Sequence, residues 1–382
     1  MSNMSSCPDL AHDPIPHPLL SEFPSEPYEP RARRRPSSRR SGRYTAPPIP
    51  HALATVIVGT TIEHRGLAVT PLIGHDDPAC DYLTLEEALS SGAVTIREMS
   101  VYGSINKVHV FNRAERPLLI VDGEELSGSV QNRVVNLSVL IDKRTPALVP
   151  VSCVERGRCD GETFRFTSAS RMQFASGRAE KMAQITRSLS LCEKRQADQV
   201  AVWSAVQLKA ERLQAVSKTG AMADIYQQHA AALDGYVEAL GRVERQRGAV
   251  FAVHGRLAGM ELFDLASTWD RLMPKIVRSY AIDALEERAD QKKGAEIGPD
   301  VLLDVVAQVE TPSYTSFGDT FDVRIEGMSV TGSALVFGSR VINLAAFNLP
   351  HEGTLDIEHL TGWPMRQRAC PSTCSQRVSS GR

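Results

Sequence analysis

The sequence predicts an α+β protein whose largely antiparallel sheet contains an inserted helical hairpin. Two observations support this class. Strand-like runs dominate residues 52–170 and 248–348, and helical periodicity dominates residues 178–245 between them. Because strands flank the helices on both sides, we expect one composite domain over residues 52–348 rather than two independent domains.

The composition is that of an ordinary globular protein. The chain has 382 residues, of which 42% are hydrophobic and 23% are charged, and its formal net charge is −2. A chain of this kind can bury a substantial core. The charge and an aromatic content of 6% give no support for a nucleic-acid-binding body or a stacking platform for single strands. We therefore expect no specific nucleic-acid partner.

Other features bear on where the protein is found. No run is long and apolar enough to cross a bilayer, so we expect no membrane partner. The N-terminus has no apolar segment after a basic start, so we expect no secretory signal. The seven cysteines are an odd number spread along a long chain, which fits reduced thiols better than a disulfide framework. These features together predict a cytoplasmic protein.

The two ends of the chain differ from its centre. Residues 1–51 are rich in proline, serine and arginine and have no hydrophobic period, which predicts a disordered tail. The basic run Arg31–Arg43 could contact nucleic acid or an acidic surface non-specifically, but a solvated tail is the favoured interpretation. Residues 349–382 form a second predicted tail. Cys370 and Cys374 lie there without a second pair or histidines nearby, so we predict no metal site.

The first ordered segments are mostly strands. Leu83 to Leu89 is a predicted short helix, with Thr84 as its cap and Glu87 in the capping-box position. Strand-like composition recurs in five further runs before residue 122: Thr55–Thr61, Leu67–Ile73, Val94–Met99, Val108–Asn112 and Pro117–Val121.

The stretch from Asp122 to Arg158 is the centre of the prediction. Arg133–Ile141 is rich in β-branched residues, which indicates a strand, and a second strand returns after a turn as Ala147–Val154. An antiparallel return brings Gln131–Arg133 close to Cys153–Arg158, because both lie at the outer ends of this hairpin.

The second half of the chain alternates between helices and strands. Apolar residues at three- and four-residue spacing predict helices over Val200–Leu213 and Met222–Leu240, joined around Ser217–Gly220. We place Trp203 in the core of this hairpin rather than in a ligand platform. The remaining predicted elements are strand Phe164–Thr167, a hairpin over Gly248–Phe263 turning at Gly255–Arg256, helices Thr268–Leu285 and Pro299–Val309, strand Phe321–Ile325, and a closing hairpin of Ser333–Phe337 and Arg340–Phe347.

Charged and amide side chains crowd the ends of the central hairpin. We expect Arg133, Arg156 and Arg158 to bind a phosphate or carboxylate, since guanidinium groups match these anions with paired hydrogen bonds. The predicted ligand-binding set also includes three neighbouring polar residues, Gln131, Asn132 and Glu155.

Four residues are candidates for catalysis. Asp122, Glu124 and Glu261 could act as acid and base, as in glycosidic cleavage by two carboxylates. Glu261 shares a strand face with Phe263, so it could be a half-buried carboxylate with a raised affinity for protons; an exposed edge glutamate is the alternative. Cys153 could be a nucleophile if an adjacent arginine lowers its pKa, but a buried filler on its strand is the preferred interpretation.

A structural interpretation stands beside the chemical one. The same acids and arginines could form an internal salt-bridge and amide network that pins the hairpin. Established motifs do not decide between them. The patterns GxxxxGK[ST], GxGxxG and GxSxG are missing, and Cys159 stands where a C-x5-R loop would place arginine. The sequence names no cofactor.

Five stretches resemble one known family: DGEELSGSVQNRVVN, PVSCVERGR, DQVAVW, GRLAGMELF and GSALVFGSRVINLAAF. On these stretches, the chain over about residues 55–348 resembles the ARG and rhodanese-phosphatase superfamily-associated protein domain, a prokaryotic family of uncharacterised function. Through the ADP-ribosylglycohydrolases in the family's name, the resemblance implies a link to ADP-ribose or NAD metabolism. The family pattern has tryptophan after the ERGR run, so Cys159 at that position removes an expected stacking wall.

The residues and the resemblance together predict a protein that binds or processes a small phosphorylated ligand of the ADP-ribose or nucleotide type. A hydrolase or transferase for such a substrate would use the acids and arginines named above. The alternative is a non-catalytic interaction or scaffold module that presents the helical hairpin to a partner. It predicts an exposed apolar stripe along Met222–Leu240 and no enclosed pocket near Arg133.

Overall fold

The computed structural model describes residues 48–98, 106–158, 165–286, 298–309 and 311–349. Within those ranges the chain has eight helices and eighteen strands. The strands form a nine-stranded sheet, a closed six-stranded barrel and a three-stranded sheet. The predicted α+β class with largely antiparallel pairing is confirmed. The prediction of one sheet is wrong, because a second set of strands closes on itself.

The nine-stranded sheet combines strands from both sides of the helical insertion. Its members are β1 (Val56–Val58), β2 (Ile62–His64), β3 (Leu67–Gly74), β13 (Gln246–Val253), β14 (Arg256–Phe263), β15 (Ser313–Thr315), β16 (Thr320–Glu326), β17 (Val330–Phe337) and β18 (Arg340–Asn348). Their order is β1-β3-β13-β14-β18-β17-β16-β15, and β2 also pairs with β3. Thr70 of β3 lies opposite Val250 of β13, so the two strand-rich regions share one ladder.

The two hairpins predicted in this sheet are confirmed, with a small shift in one turn. The β13–β14 hairpin turns at His254-Gly255 rather than at Gly255-Arg256. Both turn residues have positive φ, 50° and 75°, which matches the right-handed twist of the flanking strands.

The barrel was not predicted. Its strands are β5 (Val94–Arg97), β6 (Lys107–Asn112), β8 (Glu124–Gly128), β9 (Arg133–Val135), β11 (Pro146–Cys153) and β12 (Arg165–Met172), in the order β11-β6-β5-β12-β8-β9. Apolar side chains from all six strands contact one another, which places them inside the barrel: Ile96, Val110, Leu126, Val135, Val151 and Phe166. Closure leaves no open edge in this set of strands.

The predicted strand Arg133–Ile141 divides into β9 and β10 (Val139–Ile141), which belong to different sheets. β10 pairs antiparallel with β7 (Leu118–Ile120), and β7 pairs parallel with β4 (Leu83–Thr84). Asn136 accepts a hydrogen bond from Ser152 and Ser138 donates one to Asn343, so these polar side chains hold the chain where it leaves the barrel.

The helices are α1 (Pro48–Ala54), α2 (Leu85–Ser90), α3 (Ala175–Cys192), α4 (Gln199–Arg212), α5 (Met222–Gln228), α6 (Ala230–Leu240), α7 (Ala266–Ala284) and α8 (Pro299–Gln308). The insertion is thus four helices rather than a hairpin, and its predicted second helix breaks at His229. Residues 48–51 of α1 were predicted as part of the N-terminal tail, so the helix begins inside that predicted segment. None of the helices in the described ranges combines the length and apolar composition that a bilayer crossing requires.

Each face of the nine-stranded sheet has its own core. Leu262, Leu344 and Ala346 pack with α1 and α8 in an apolar cluster. The opposite face packs against α3 and α7, where Phe263 and Ala345 contribute to the largest core cluster. Charged side chains also lie on this second face, between the sheet, α3 and the barrel.

Several sequence predictions fall outside the described ranges. These are Cys159, the predicted strand ends Met99 and Phe164, and the cysteine pair Cys370 and Cys374.

Candidate functional site

The predicted meeting of Gln131–Arg133 with Cys153–Arg158 is confirmed. Arg133 of β9 pairs across the ladder with Cys153 of β11. Asn132 N donates to Glu155 Oε2 at 3.2 Å. Arg158 Nη2 donates to Asn132 Oδ1 at 3.2 Å and to Glu155 Oε2 at 2.8 Å. The local antiparallel register therefore brings together the residues that the hairpin argument selected.

These residues lie at one end of the barrel. Because every neighbouring pair of barrel strands is antiparallel, β5, β8 and β11 end there while β6, β9 and β12 begin there. The described residues at this end include six basic and two acidic side chains, which we call the arginine end: Arg97, Lys107, Arg133, Arg156, Arg158, Arg165, Glu98 and Glu155.

Arg133 faces the barrel interior rather than solvent. Its side chain is only 2% exposed, and its Nη2 lies 3.1 Å from Glu98 Oε1. Its Nη1 donates to Gln131 Oε1 at 3.0 Å. Burial raises the pKa of Glu98, although the Arg133 charge opposes that rise. Arg133 therefore contributes positive charge from inside, and a ligand at the surface would meet other arginines first.

Glu155 ties the barrel to the helical insertion. Thr219 Oγ1, just before α5, donates to Glu155 Oε1 at 2.9 Å. Burial alone would raise the pKa of this carboxyl, but the hydrogen bonds from Arg158, Thr219 and the Asn132 backbone outweigh burial and lower it. Glu155 is thus held as a carboxylate that accepts bonds, which suits a positioning role at the site.

Cys153 is buried, and its thiol faces polar partners. Sγ lies 3.3 Å from Gln131 Oε1 and 3.2 Å from the Glu155 carbonyl oxygen. Burial raises the pKa of the thiol, although the Arg133 charge opposes the rise. A nucleophilic cysteine needs the thiolate form at neutral pH. The geometry therefore favours the interpretation of Cys153 as a buried filler.

α4 closes the flank of the barrel where β6 begins. Cys153 N donates to Gln199 Oε1 and Gln199 Nε2 donates to Cys153 O, both at 2.8 Å. One side-chain amide thereby takes the place of a neighbouring strand. Beside it lies a half-open cleft of about 460 Å³, which is lined by Asn106, Val151, Ser152, Gln196, Ala197, Gln199 and Trp203.

Trp203 was expected in the helical core, but it is only partly buried and forms one wall of this cleft. The Arg156 guanidinium lies over its ring, 5.6 Å from the centroid. Helical spacing identified the apolar face of α4 but did not show that this face ends at a cleft. The polar residues Gln196 and Gln199, close to Trp203 in the sequence, were the signal that could have indicated a cleft here.

The three carboxylates predicted as acid and base lie in a separate cluster. Asp122, Glu124 and Glu261 are 0–1% exposed. Each lies next to a buried cation on a helix, and the three cations were missed in the sequence: Arg178 and Lys181 of α3 and Lys275 of α7. We call these six residues the buried ion cluster.

Ion pairs connect this cluster internally. Arg178 lies 3.1 Å from Asp122 and 2.6 Å from Glu261, and Lys181 lies 2.9 Å from Asp122. Burial raises the pKa of Glu261, as its strand position had indicated, although the carboxyl is fully rather than half buried. A substrate would have to displace Arg178 to reach either carboxylate. The arrangement favours the salt-bridge interpretation for this part of the predicted set.

No cation site emerges from the described residues. They contain no group of three or more histidine, cysteine, aspartate or glutamate side chains placed to bind a metal ion.

Comparison with known proteins gives a single assignment. Neither the curated proteins nor the solved structures contain a match to this chain. A family profile matches residues 55–347, which span the barrel, the helical insertion and nearly all of the nine-stranded sheet. The chain belongs to the ARG and rhodanese-phosphatase-superfamily-associated protein domain family.

Proposed function

We propose that the arginine end binds a small phosphorylated ligand of the ADP-ribose or nucleotide type. The observation that carries this proposal is that, among the described residues, six basic and two acidic side chains lie at one end of a closed barrel. Arginine matches the oxygens of phosphate with paired hydrogen bonds. Loops at the end of a rigid scaffold are also where binding residues concentrate.

Two arginines are placed to touch such a ligand. Arg156 is exposed, and the side chain of Arg158 is 26% exposed and held by Glu155. Arg133 supports them from inside the barrel through its positive charge. A ligand phosphate would therefore lie along the Glu155–Arg158 segment. There the Arg158 guanidinium, which Glu155 holds, lies near the exposed guanidinium of Arg156.

Binding rather than turnover is the activity that this geometry supports. The carboxylates proposed as acid and base are enclosed in the buried ion cluster, and Cys153 is buried with a raised pKa. The family's implied connection to ADP-ribosylglycohydrolases supports the ligand class. The scattered cysteines support a cytoplasmic location, where such ligands are met.

The experiment is a calorimetric and thermal-shift screen of the full chain against ADP-ribose, NAD, nucleotides and sugar phosphates. A ligand present at 100 times its Kd should raise the free energy of unfolding by about 2.7 kcal/mol. The double substitution Arg156→Gln with Arg158→Gln should abolish this gain. Arg187→Gln, at an exposed position on α3, should leave it unchanged. If no phosphorylated compound binds, or both variants bind equally well, the proposal is wrong.

The interaction-module alternative predicts an exposed apolar stripe along Met222–Leu240. The apolar side chains that it would expose are buried: Met222, Ile225, Leu233, Tyr236 and Leu240. They contribute to the largest core cluster, so α5 and α6 bury this apolar face.

A further inference from the structure

We propose that the cleft beside α4 receives the aromatic base of the ligand, so that the protein selects a nucleotide over a base-free sugar phosphate. This inference rests on the proposed function and adds a second contact region to it. The phosphates would lie at Arg156 and Arg158, and the base would lie against Trp203.

Trp203 forms the aromatic wall of the cleft. Trp203 is partly buried and lines the cleft, so part of its ring system faces the open volume. Nucleobases stack on aromatic side chains because both present flat, polarisable faces. Trp203 stands where a flat ligand could contact it.

One side chain links the cleft to the arginine end. Arg156 belongs to the arginine end, and its guanidinium lies 5.6 Å from the centroid of the Trp203 ring. Arginine stacks on aromatic rings through its planar face and still offers donors at its edge. A single side chain thus joins the aromatic wall to the phosphate-binding end, which matches the layout of a nucleotide.

The size and polarity of the cleft suit a nucleobase. Its volume of about 460 Å³ falls within the range of small-molecule sites, roughly 300–1,000 Å³. Gln196 is exposed at its rim, and an amide both donates and accepts hydrogen bonds, as base edges require. Ser152 also lines the cleft, but its hydroxyl proton is already donated to Asn136.

The aromatic wall is held in a fixed position against the barrel. The two hydrogen bonds between Gln199 and the Cys153 backbone fix the start of α4 on the barrel. Trp203 follows four residues later on the same helical face, so its ring is held relative to the barrel end. Gln199 is therefore a positioning residue for the aromatic wall.

The test compares ADP-ribose, ADP and ribose 5-phosphate by calorimetry, with tryptophan fluorescence as a second measurement. The two base-containing compounds should bind at least tenfold more tightly than ribose 5-phosphate. Trp203→Leu should weaken ADP binding by about 5- to 150-fold, equivalent to about 1–3 kcal/mol, and leave ribose 5-phosphate unaffected. Trp203→Phe should retain most of the affinity, since phenylalanine also stacks.

Fluorescence separates stacking from a general effect on folding. ADP should quench the wild-type emission and the emission of Trp269→Phe, because Trp269 is buried in the core at 2% exposure. The quench should disappear in Trp203→Phe while binding persists. This comparison holds even if Trp203→Leu lowers the melting temperature.

The outcomes distinguish the two proposals. If ribose 5-phosphate binds as tightly as ADP, or ADP binds without quenching Trp203, base recognition in the cleft is overturned while phosphate binding at the arginine end stands. If none of the three compounds binds, the proposed function fails and takes this inference with it.

Discussion

Arg178 Nη1 lies 2.6 Å from Glu261 Oε1, and both side chains are fully buried. Arg178 belongs to the helical insertion and Glu261 to the nine-stranded sheet. The Nε of the same guanidinium donates to Asp122, in the segment that leads into barrel strand β8. One side chain therefore joins three parts of the fold, and its partners Glu261 and Asp122 lie 83 and 56 residues away from it in the chain.

Removal of this guanidinium should destabilise the protein strongly. Arg178→Met leaves Asp122 and Glu261 buried without their shared partner, and an uncompensated buried charge costs roughly 3–5 kcal/mol. Urea denaturation of the variant measures the loss. Arg271→Met is the control, since Arg271 pairs with Glu87 while 46% exposed and should cost at most about 1 kcal/mol. Equal losses in the two variants would contradict the joining role of Arg178.

Asp264 should make stability depend on pH. It accepts hydrogen bonds from Tyr82 at 2.5 Å and from Ala79 N at 3.1 Å. Burial raises the pKa of its carboxyl from 3.8 to about 6, against the effect of these bonds. A raised native pKa means that the folded state holds the proton more tightly. The resulting stabilisation is complete below pH 3.8, is lost as the pH rises through 6, and amounts to about 3 kcal/mol.

Asp264→Asn tests this dependence through urea unfolding between pH 4 and pH 7. The fall in unfolding free energy over that interval should be smaller in the variant than in the wild type. Asp319→Asn, at an exposed turn position, should keep the wild-type slope. A variant of Asp264 with the wild-type slope would show that this carboxyl does not titrate as described.

Two glycines should respond oppositely to alanine. A Cβ at Gly248 would lie 2.0 Å from the backbone oxygen of Glu261 on the neighbouring strand, so Gly248→Ala should cost about 3 kcal/mol or more. Gly235 lies within α6, and a Cβ there would meet nothing within 4 Å. Gly235→Ala should therefore stabilise the protein by about 0.5–1 kcal/mol. Thermal unfolding of both variants checks the signs, and a shared sign would refute the close approach at β13–β14.

Cys153 should resist alkylation in the folded protein. The thiol is 0% exposed and burial raises its pKa, so iodoacetamide at pH 8 should modify it only after unfolding in urea. Cys192 is partly exposed and should react in the native state. Peptide mass spectrometry reads both sites. Rapid labelling of Cys153 in the native protein would support the nucleophile interpretation. If Cys153 is a buried filler, Cys153→Ala should leave ligand affinity unchanged.

Local features of the fold could be predicted from the sequence because their causes are local. The capping box of α2 forms between Thr84 and Glu87, three residues apart. The meeting of Arg133 with Cys153 follows from an antiparallel return along neighbouring chain segments. In each case the interacting groups are close in sequence, so residue spacing alone restricts the geometry.

Long-range features could not be predicted in the same way. The strand pattern through Ile141 gave no sign that β10 would leave the barrel, because Asn136 and Ser138 find their partners only in the assembled fold. Trp203 has the spacing of a core residue, and only the placement of α4 against β11 turns it into a cleft wall.

By itself, the sequence determined the α+β class, most of the helices and strands, and the polar residues that meet at the barrel end. Only the tertiary structure decided which charges are available to a ligand. Arg133, Arg156 and Arg158 are chemically alike in the chain, but Arg133 turns into the barrel and meets Glu98, while Arg156 remains exposed beside Trp203. The reason is physical: burial and pairing depend on which distant strands and helices surround a side chain, and residue type does not encode those neighbours.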